Sequence, residues 1–200
     1  FEKAQMAYYM DVLEREWETL RDAHHIEPPA TLVASVDPLL QLRAAQALQR
    51  GLTDARARRP RRTGEPLQGA VVSLDATNGG LRALVGGADY SQAPFNRATN
   101  IARQVGSTFK PFVYLAAFGA DDGEPRCTQS TVLPDTLREY QVGDQVRAPA
   151  NFDKEFRGAV TARQALEKSI NAPTVALGMQ VGVHRVAALA RDLGVQERVP

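Results

Sequence analysis

The sequence predicts an α+β domain in which helices pack on an antiparallel sheet. Residues 69–87 have the pattern of a β-hairpin, and residues 107–119 are apolar on nearly every face, as in a buried helix. Residues 161–192 carry the start and stop signals of three short helices. A hairpin followed by helices, without strict strand–helix alternation, favours the α+β class, with the domain beginning near residue 66.

The composition is that of an ordinary globular protein. Of its 200 residues, 44% are hydrophobic and 24% are charged, which excludes disorder, a collagen-like chain and a membrane bundle. The net charge of +1 gives no overall positive electrostatic field that would attract nucleic acid, so no nucleic-acid partner is expected. Cys127 is the single cysteine, which excludes an internal disulfide and a cysteine-rich zinc site. No cofactor or metal is expected.

The first 22 residues predict an amphipathic helix. Apolar residues recur at alternating spacings of four and three, and form one stripe: Met6, Met10, Leu13, Trp17 and Leu20. Such a stripe indicates a helix that docks on a neighbouring element. Residues 1–30 are therefore interpreted as a connecting helix.

The next segment combines short elements with an arginine-rich stretch. A strand is expected at 31–36, followed by a helix over 38–50 that ends at Gly51. Residues 55–62 contain five arginines, which repel one another, and Pro60 interrupts any helix there. This stretch predicts a linker or an exposed loop.

Local signals define the hairpin and the later helices. Asn78-Gly79 joins the two strands of the hairpin, because both residues tolerate the positive φ that a tight turn requires. Thr161 and Gln164 form a capping box that begins a helix. Asn171 is expected to cap a second helix, and a third is expected over 183–192.

The buried helix carries a serine and a lysine three residues apart. Ser107 and Lys110 therefore lie on one face, one turn from each other. Serine is a weak nucleophile until a base takes its proton, and a lysine that burial has made easier to deprotonate can serve as that base. Pro111 has no N–H to donate to the carbonyl of Ser107, so Ser107 is expected at the mouth of the helix.

A second polar pair follows in the break between two predicted helices. Ser169 and Asn171 form a Ser-x-Asn element. From this composition, chance produces Ser-x-x-Lys about 0.12 times and Ser-x-Asn about 0.15 times per chain. Taken singly, Ser107 could be a capping serine and Lys110 a lysine whose aliphatic stem is buried. Ser169 could be an ordinary polar residue at the C-terminus of a helix.

Ser-x-x-Lys followed about 60 residues later by Ser-x-Asn resembles the serine acyltransferases that react with penicillin. The flanking sequence resembles bifunctional (class A) penicillin-binding proteins and their transpeptidase domain. The resemblance extends over residues 31–194. Residues 31–51 resemble the linker between the family's two catalytic domains, and the transpeptidase resemblance is carried by these segments: 84–87, 95–98, 103–114, 157–166 and 169–173.

The resemblance implies a D-alanyl-D-alanine transpeptidase with the serine β-lactamase/D,D-transpeptidase-like fold. In it, Ser107 is the nucleophile, Lys110 the general base, Ser169 a proton relay and Asn171 an anchor for the substrate amide and the lysine. The partners implied are peptidoglycan stem peptides and β-lactam antibiotics. The implied location is the extracytoplasmic face of the bacterial cell membrane, in the periplasm, with the parent protein anchored in the membrane outside this segment.

The resemblance also implies a domain organisation. Residues 1–30 would follow a glycosyltransferase domain that is not present, 31–65 would be the interdomain linker, and 66–200 would be the N-terminal part of the transpeptidase domain. The family's third element, Lys-Thr-Gly, is absent. Arg62-Thr-Gly64 precedes the nucleophile and does not qualify. The fold is therefore expected to be C-terminally incomplete, and this chain alone is expected to be inactive.

Two other classes of protein share the motifs. A β-lactamase or D,D-carboxypeptidase has the same elements, although a class A β-lactamase favours Asp where this chain has Ile170. A non-catalytic penicillin-sensing or interaction module is the other alternative. An intact or a degraded third element would distinguish an enzyme from a sensor.

Overall fold

The computed structural model shows a chain that folds as two units, Phe1–Ala102 and Arg103–Pro200. The helices and antiparallel strand pairs confirm the α+β class. The structure describes these residues: 3–27, 31–58, 66–121, 124–125 and 127–195. Among the described helices, none combines the length and the apolar character needed to cross a bilayer.

The first unit contains two long helices and the predicted hairpin. Its elements are α1 (Lys3–His24), α2 (Pro38–Arg58), β1 (Val71–Leu74) and β2 (Leu81–Val85). The strands pair antiparallel, with Val71 opposite Val85. Both helices pack on β2, and a hydrophobic core forms between them and the hairpin. Residues 88–105, which follow the hairpin, contain no helix or strand.

The stripe predicted for α1 is buried only in part: Met6 and Leu13 pack against the core, but the most buried residues of the helix lie outside the stripe. Tyr8 and Tyr9 are each 3% exposed, whereas Met10 and Leu20 are exposed. The hydroxyl of Tyr8 donates to the carbonyl of Ala93 at 2.6 Å, and that of Tyr9 donates to the carbonyl of Leu81 at 2.9 Å. The predicted stripe left out both tyrosines, but a phenol buries a large apolar ring once its hydroxyl finds a partner.

Two predictions on the following segment are wrong. Residues 31–36 form no strand, although Oγ of Ser35 donates to the carbonyl of Leu81 in β2 at 3.0 Å. Helix α2 does not end at Gly51, which lacks the left-handed conformation of a C-terminal glycine. Leu48 and Leu52 are both buried, so the packed face extends across Gly51.

Helix α2 also takes in the beginning of the predicted arginine-rich linker, residues 55–58, and ends at Arg58. The remaining residues of that predicted linker, 59–62, lie outside the described residues.

Two glycines of the first unit provide a stability test. A Cβ on Gly86 would lie 2.8 Å from Cδ1 of Tyr8 and closer still to the amide of Asn96, whereas a Cβ on Gly51 would meet nothing within 4 Å. We therefore expect Gly86→Ala to lower the free energy of unfolding by about 1–3 kcal/mol through overpacking. Gly51→Ala, inside α2, should raise it by up to about 1 kcal/mol. Urea unfolding followed by circular dichroism measures both, and equal effects would contradict the packing described.

The second unit contains short strand pairs and four helices in its described residues. A 3₁₀ turn, Gly106–Phe109, leads into α3 (Lys110–Phe118), and α4 (Ala162–Glu167), α5 (Asn171–Val181) and α6 (Val183–Asp192) follow later. Three antiparallel pairs lie between α3 and α4: β3 (Ala120–Asp121) with β4 (Glu124–Pro125), β5 (Val132–Asp135) with β8 (Gly158–Thr161), and β6 (Tyr140–Val142) with β7 (Gln145–Arg147).

The helix signals of the second unit are confirmed with one exception. Thr161 and Gln164 form the predicted capping box at the start of α4. Asn171, however, is the first residue of α5 rather than its cap, and the N-cap position is Ile170, whose side chain makes no capping hydrogen bond. The side chain of Asn171 is engaged elsewhere, so another residue has to accept the first N–H groups of α5.

Candidate active site

A buried lysine brings three of the four predicted site residues together. Lys110 is 8% exposed, and its ammonium group donates to Oγ of Ser169 at 3.1 Å and to Oδ1 of Asn171 at 2.8 Å. It also donates to the backbone carbonyl of Ser169. Burial lowers the pKa of Lys110 from its ordinary value of 10.5. A neutral amine is therefore easier to form here than on a solvated lysine.

Secondary structure places each member of this cluster. Lys110 is the first residue of α3, and Asn171 is the first residue of α5. Ser169 lies between α4 and α5 with φ of 53°, a left-handed conformation that is unusual for a residue with a side chain. Helices α3 and α5 pack together, and the hydroxyls of Tyr114 and Thr174 bond across them at 3.0 Å. The turn and the two helix starts therefore meet at one point.

Ser107 lies in the 3₁₀ turn before α3, as predicted, and its side chain is exposed. Its carbonyl accepts the backbone N–H of Lys110. The Lys110 ammonium bonds to Ser169 and Asn171, and no hydrogen bond joins it to the Ser107 hydroxyl in the described part of the chain. The structure thus places Ser107 one turn from the lysine, with a hydroxyl open to solvent, without linking the two side chains.

An apolar pocket opens beside the cluster. It has a volume of about 420 Å³, and both Lys110 and Asn171 line it. Its apolar walls include Phe109 from the 3₁₀ turn, Val113 from α3 and Met179 from α5. Polar groups at the edge of an apolar cleft are the usual setting for binding a small ligand. Among the described residues, no group of His, Cys, Asp or Glu is arranged to hold a metal ion.

Sequence reasoning missed Asn151. The side chain of this residue is 4% exposed, and its oxygen accepts the backbone N–H groups of Asn171 and Ala172 at 3.0 Å each. It therefore supplies the cap that Ile170 lacks. The signal in the sequence was indirect, because an apolar residue at an N-cap position means that the acceptor must come from elsewhere in the fold.

Comparison with solved structures defines the class of protein. The chain superposes on penicillin-binding protein 1A from Haemophilus influenzae with a TM-score of 0.60 and 33% identity, over 68% of this chain and 20% of that one. The PonA1 protein from Mycobacterium tuberculosis, in complex with penicillin V, superposes with a TM-score of 0.67 over 99% of this chain and 49% of that one. Its identity of 22% indicates a shared fold. The class is that of the penicillin-binding serine acyltransferases.

Sequence comparison identifies the family. A family model described as the penicillin binding protein transpeptidase domain matches residues 69–200. The chain therefore belongs to the penicillin-binding protein transpeptidase family, and the predicted resemblance is confirmed. Penicillin-binding protein 1B from Vibrio cholerae is 35% identical over 191 residues, which cover 96% of this chain and 24% of that relative. The chain thus spans about a quarter of that relative's length.

Proposed function

We propose that this chain contributes the nucleophile region of a D-alanyl-D-alanine transpeptidase that crosslinks peptidoglycan stem peptides. The observation that supports this most is the contact of the buried Lys110 ammonium with Ser169 and Asn171. Two short motifs about sixty residues apart meet around one desolvated amine, one turn from an exposed serine. That arrangement suits serine acyl transfer, in which a neutral amine takes the proton of the nucleophile.

The chemistry has two acyl transfers. Oγ of Ser107 forms a bond to the penultimate D-Ala carbonyl carbon, and the C–N bond to the terminal D-Ala breaks. The serine proton passes to Lys110, and Ser169 relays a proton to the leaving amine. The amine of a second stem peptide then attacks the acyl carbon, the C–O bond to Ser107 breaks, and the proton lost by the amine returns through Lys110 to Oγ of Ser107. Asn171 holds the lysine and anchors the substrate amide, and the backbone N–H of Ser107 is one donor of the oxyanion hole.

The same site is proposed to react with β-lactams, which would acylate Ser107 in place of the stem peptide. The binding of penicillin V by the structural relative PonA1 is consistent with this. By family resemblance, the protein would act at the extracytoplasmic face of the cell membrane. Residues 1–30 would be a connecting helix, 31–65 an interdomain linker and 66–200 the N-terminal part of the transpeptidase domain.

Labelling with a fluorescent penicillin tests the proposed function. The full-length protein that carries this chain should form one covalent adduct, which peptide mass mapping places on Ser107. Prior incubation with unlabelled penicillin should prevent labelling, and denatured protein should give none. A folded protein without an adduct, or with an adduct on another residue, would contradict the assignment.

A further inference from the structure

A fully buried carboxylate lies at the end of β5, in the second unit. The side chain of Asp135 is 0% exposed and accepts hydrogen bonds from Nδ2 of Asn151 at 2.7 Å and from the backbone N–H of Arg157 at 3.1 Å. The Arg157 guanidinium lies 3.4 Å from the same carboxylate. Burying a carboxylate is unfavourable unless its oxygens are hydrogen-bonded, so these three donors account for its burial.

The Asn151 amide can adopt one orientation only. Its Nδ2 donates to Oδ1 of Asp135 and to the carbonyl of Glu155, both at 2.7 Å, which uses both of its N–H groups. Its Oδ1 accepts the backbone N–H groups of Asn171 and Ala172. A flipped amide would turn its NH₂ group toward those two donors and its oxygen toward two acceptors. The carboxylate of Asp135 therefore sets which end of the amide faces α5.

The same short segment fixes both the backbone and the side chain of Asn171. Its backbone N–H bonds to Asn151, and its Nδ2 donates to the carbonyl of Ala150 at 2.8 Å. With the nitrogen held in this way, Oδ1 of Asn171 is left to accept from the Lys110 ammonium at 2.8 Å. A continuous set of hydrogen bonds thus runs from the buried carboxylate to the lysine.

We propose that Asp135 and Asn151 are positioning residues of the acylation site. The carboxylate orients the Asn151 amide, the amide holds the first residue of α5, and Asn171 thereby keeps its oxygen on the Lys110 ammonium. Neither Asp135 nor Asn151 is hydrogen-bonded to Lys110 among the described residues, so both act through Asn171. This inference rests on the proposed function, in which Lys110 is the general base.

The arrangement around Lys110 connects Asp135 and Asn151 to the pH dependence of acylation. Among the described residues that line the pocket, Lys110 is the one ionisable side chain, and Tyr114, one turn along α3, bonds to Thr174 instead. The acceptors on the ammonium are two groups of Ser169 and Oδ1 of Asn171. Since an acceptor favours the charged form, displacing Asn171 lowers the pKa of Lys110 further. The acid limb of the pH–rate profile, in which the acylation rate constant rises as Lys110 loses its proton, would then move to lower pH.

A double-mutant cycle in the full-length protein tests the proposal. Stopped-flow fluorescence with a fluorescent penicillin measures the first-order acylation rate constant from pH 6 to pH 10 or so. We expect Asn151→Ala to lower the rate constant about tenfold, as misplaced catalytic groups do, and to move the acid limb to lower pH. In an Asn171→Ala background the same change should have less than a twofold effect, because the group through which Asn151 acts is already gone.

Two further variants make the result decisive. Asp153→Asn is the matched control, because Asp153 also pairs with Arg157 but makes no hydrogen bond to Asn151, so its rate constant should stay within twofold of wild type. If Asn151→Ala does not fold, the isosteric Asp135→Asn takes its place in the cycle. Equal losses in both backgrounds, or a loss without movement of the acid limb, would overturn the positioning role. A wild-type protein that is not acylated at Ser107 would instead refute the proposed function, before any variant is compared.

Discussion

Replacing Ser107 with alanine is expected to abolish acylation by penicillin, with a fall of at least about 10⁴-fold in the rate constant. The reason is chemical, because the proposed acyl-enzyme is an ester of this hydroxyl and alanine offers no atom to form it. The fold should be preserved, since the side chain of Ser107 is exposed and lies in a short 3₁₀ turn. Gel fluorescence after incubation with labelled penicillin, together with intact-protein mass, measures the adduct.

A second serine provides the control for that experiment. Ser130 is also exposed and also belongs to the second unit, but its hydroxyl bonds to Thr128 rather than facing the lysine cluster. Ser130→Ala should therefore be labelled at the wild-type rate, and its unfolding midpoint should match that of Ser107→Ala. An adduct that persists in Ser107→Ala, or one that disappears in Ser130→Ala, would show that the nucleophile has been assigned to the wrong residue.

The features that could be predicted from the sequence are those set by neighbours along the chain. Features of this kind are the hairpin, the start of α4 at Thr161 and Gln164, and the place of Ser107 before Pro111. Each depends on a few consecutive residues and is present in the structure, although only Gly79 of the Asn78-Gly79 pair has the positive φ expected of both. That Lys110 lies against Ser169 and Asn171, about sixty residues away, followed from family resemblance rather than from spacing.

The features that could not be predicted depend on contacts distant in sequence. Tyr8 and Tyr9 are buried because a loop and a strand more than seventy residues away accept their hydroxyls. Helix α2 continues past Gly51 because Leu52 packs into a core that α1 and the hairpin also form. Asn151 caps a helix that begins twenty residues later, so no local pattern marks it. Polar residues in unpatterned segments are therefore the ones that sequence reasoning overlooks.

Removing the proposed base is expected to have the second large effect. Lys110→Met keeps the length of the side chain and deletes the amine, and should lower the acylation rate constant by about 10²–10⁴-fold, the usual contribution of general-base catalysis. Lys110→Arg keeps a positive charge on a group that does not give up its proton in proteins. A comparable loss in Lys110→Arg would show that proton transfer matters, whereas a near-normal rate would show that charge alone suffices.

The pH profile distinguishes a base from a merely structural lysine. If Lys110 must be neutral to accept the serine proton, the wild-type rate constant rises with pH and levels off above the pKa of this residue. Because burial lowers that pKa, the plateau should begin below 10.5, the ordinary value for lysine. In Lys110→Met this rise should vanish, leaving a slow rate that no longer reports the titration of Lys110. A profile of unchanged shape at reduced amplitude would instead mean that Lys110 supports the fold around Ser169 and Asn171, and that another group accepts the proton.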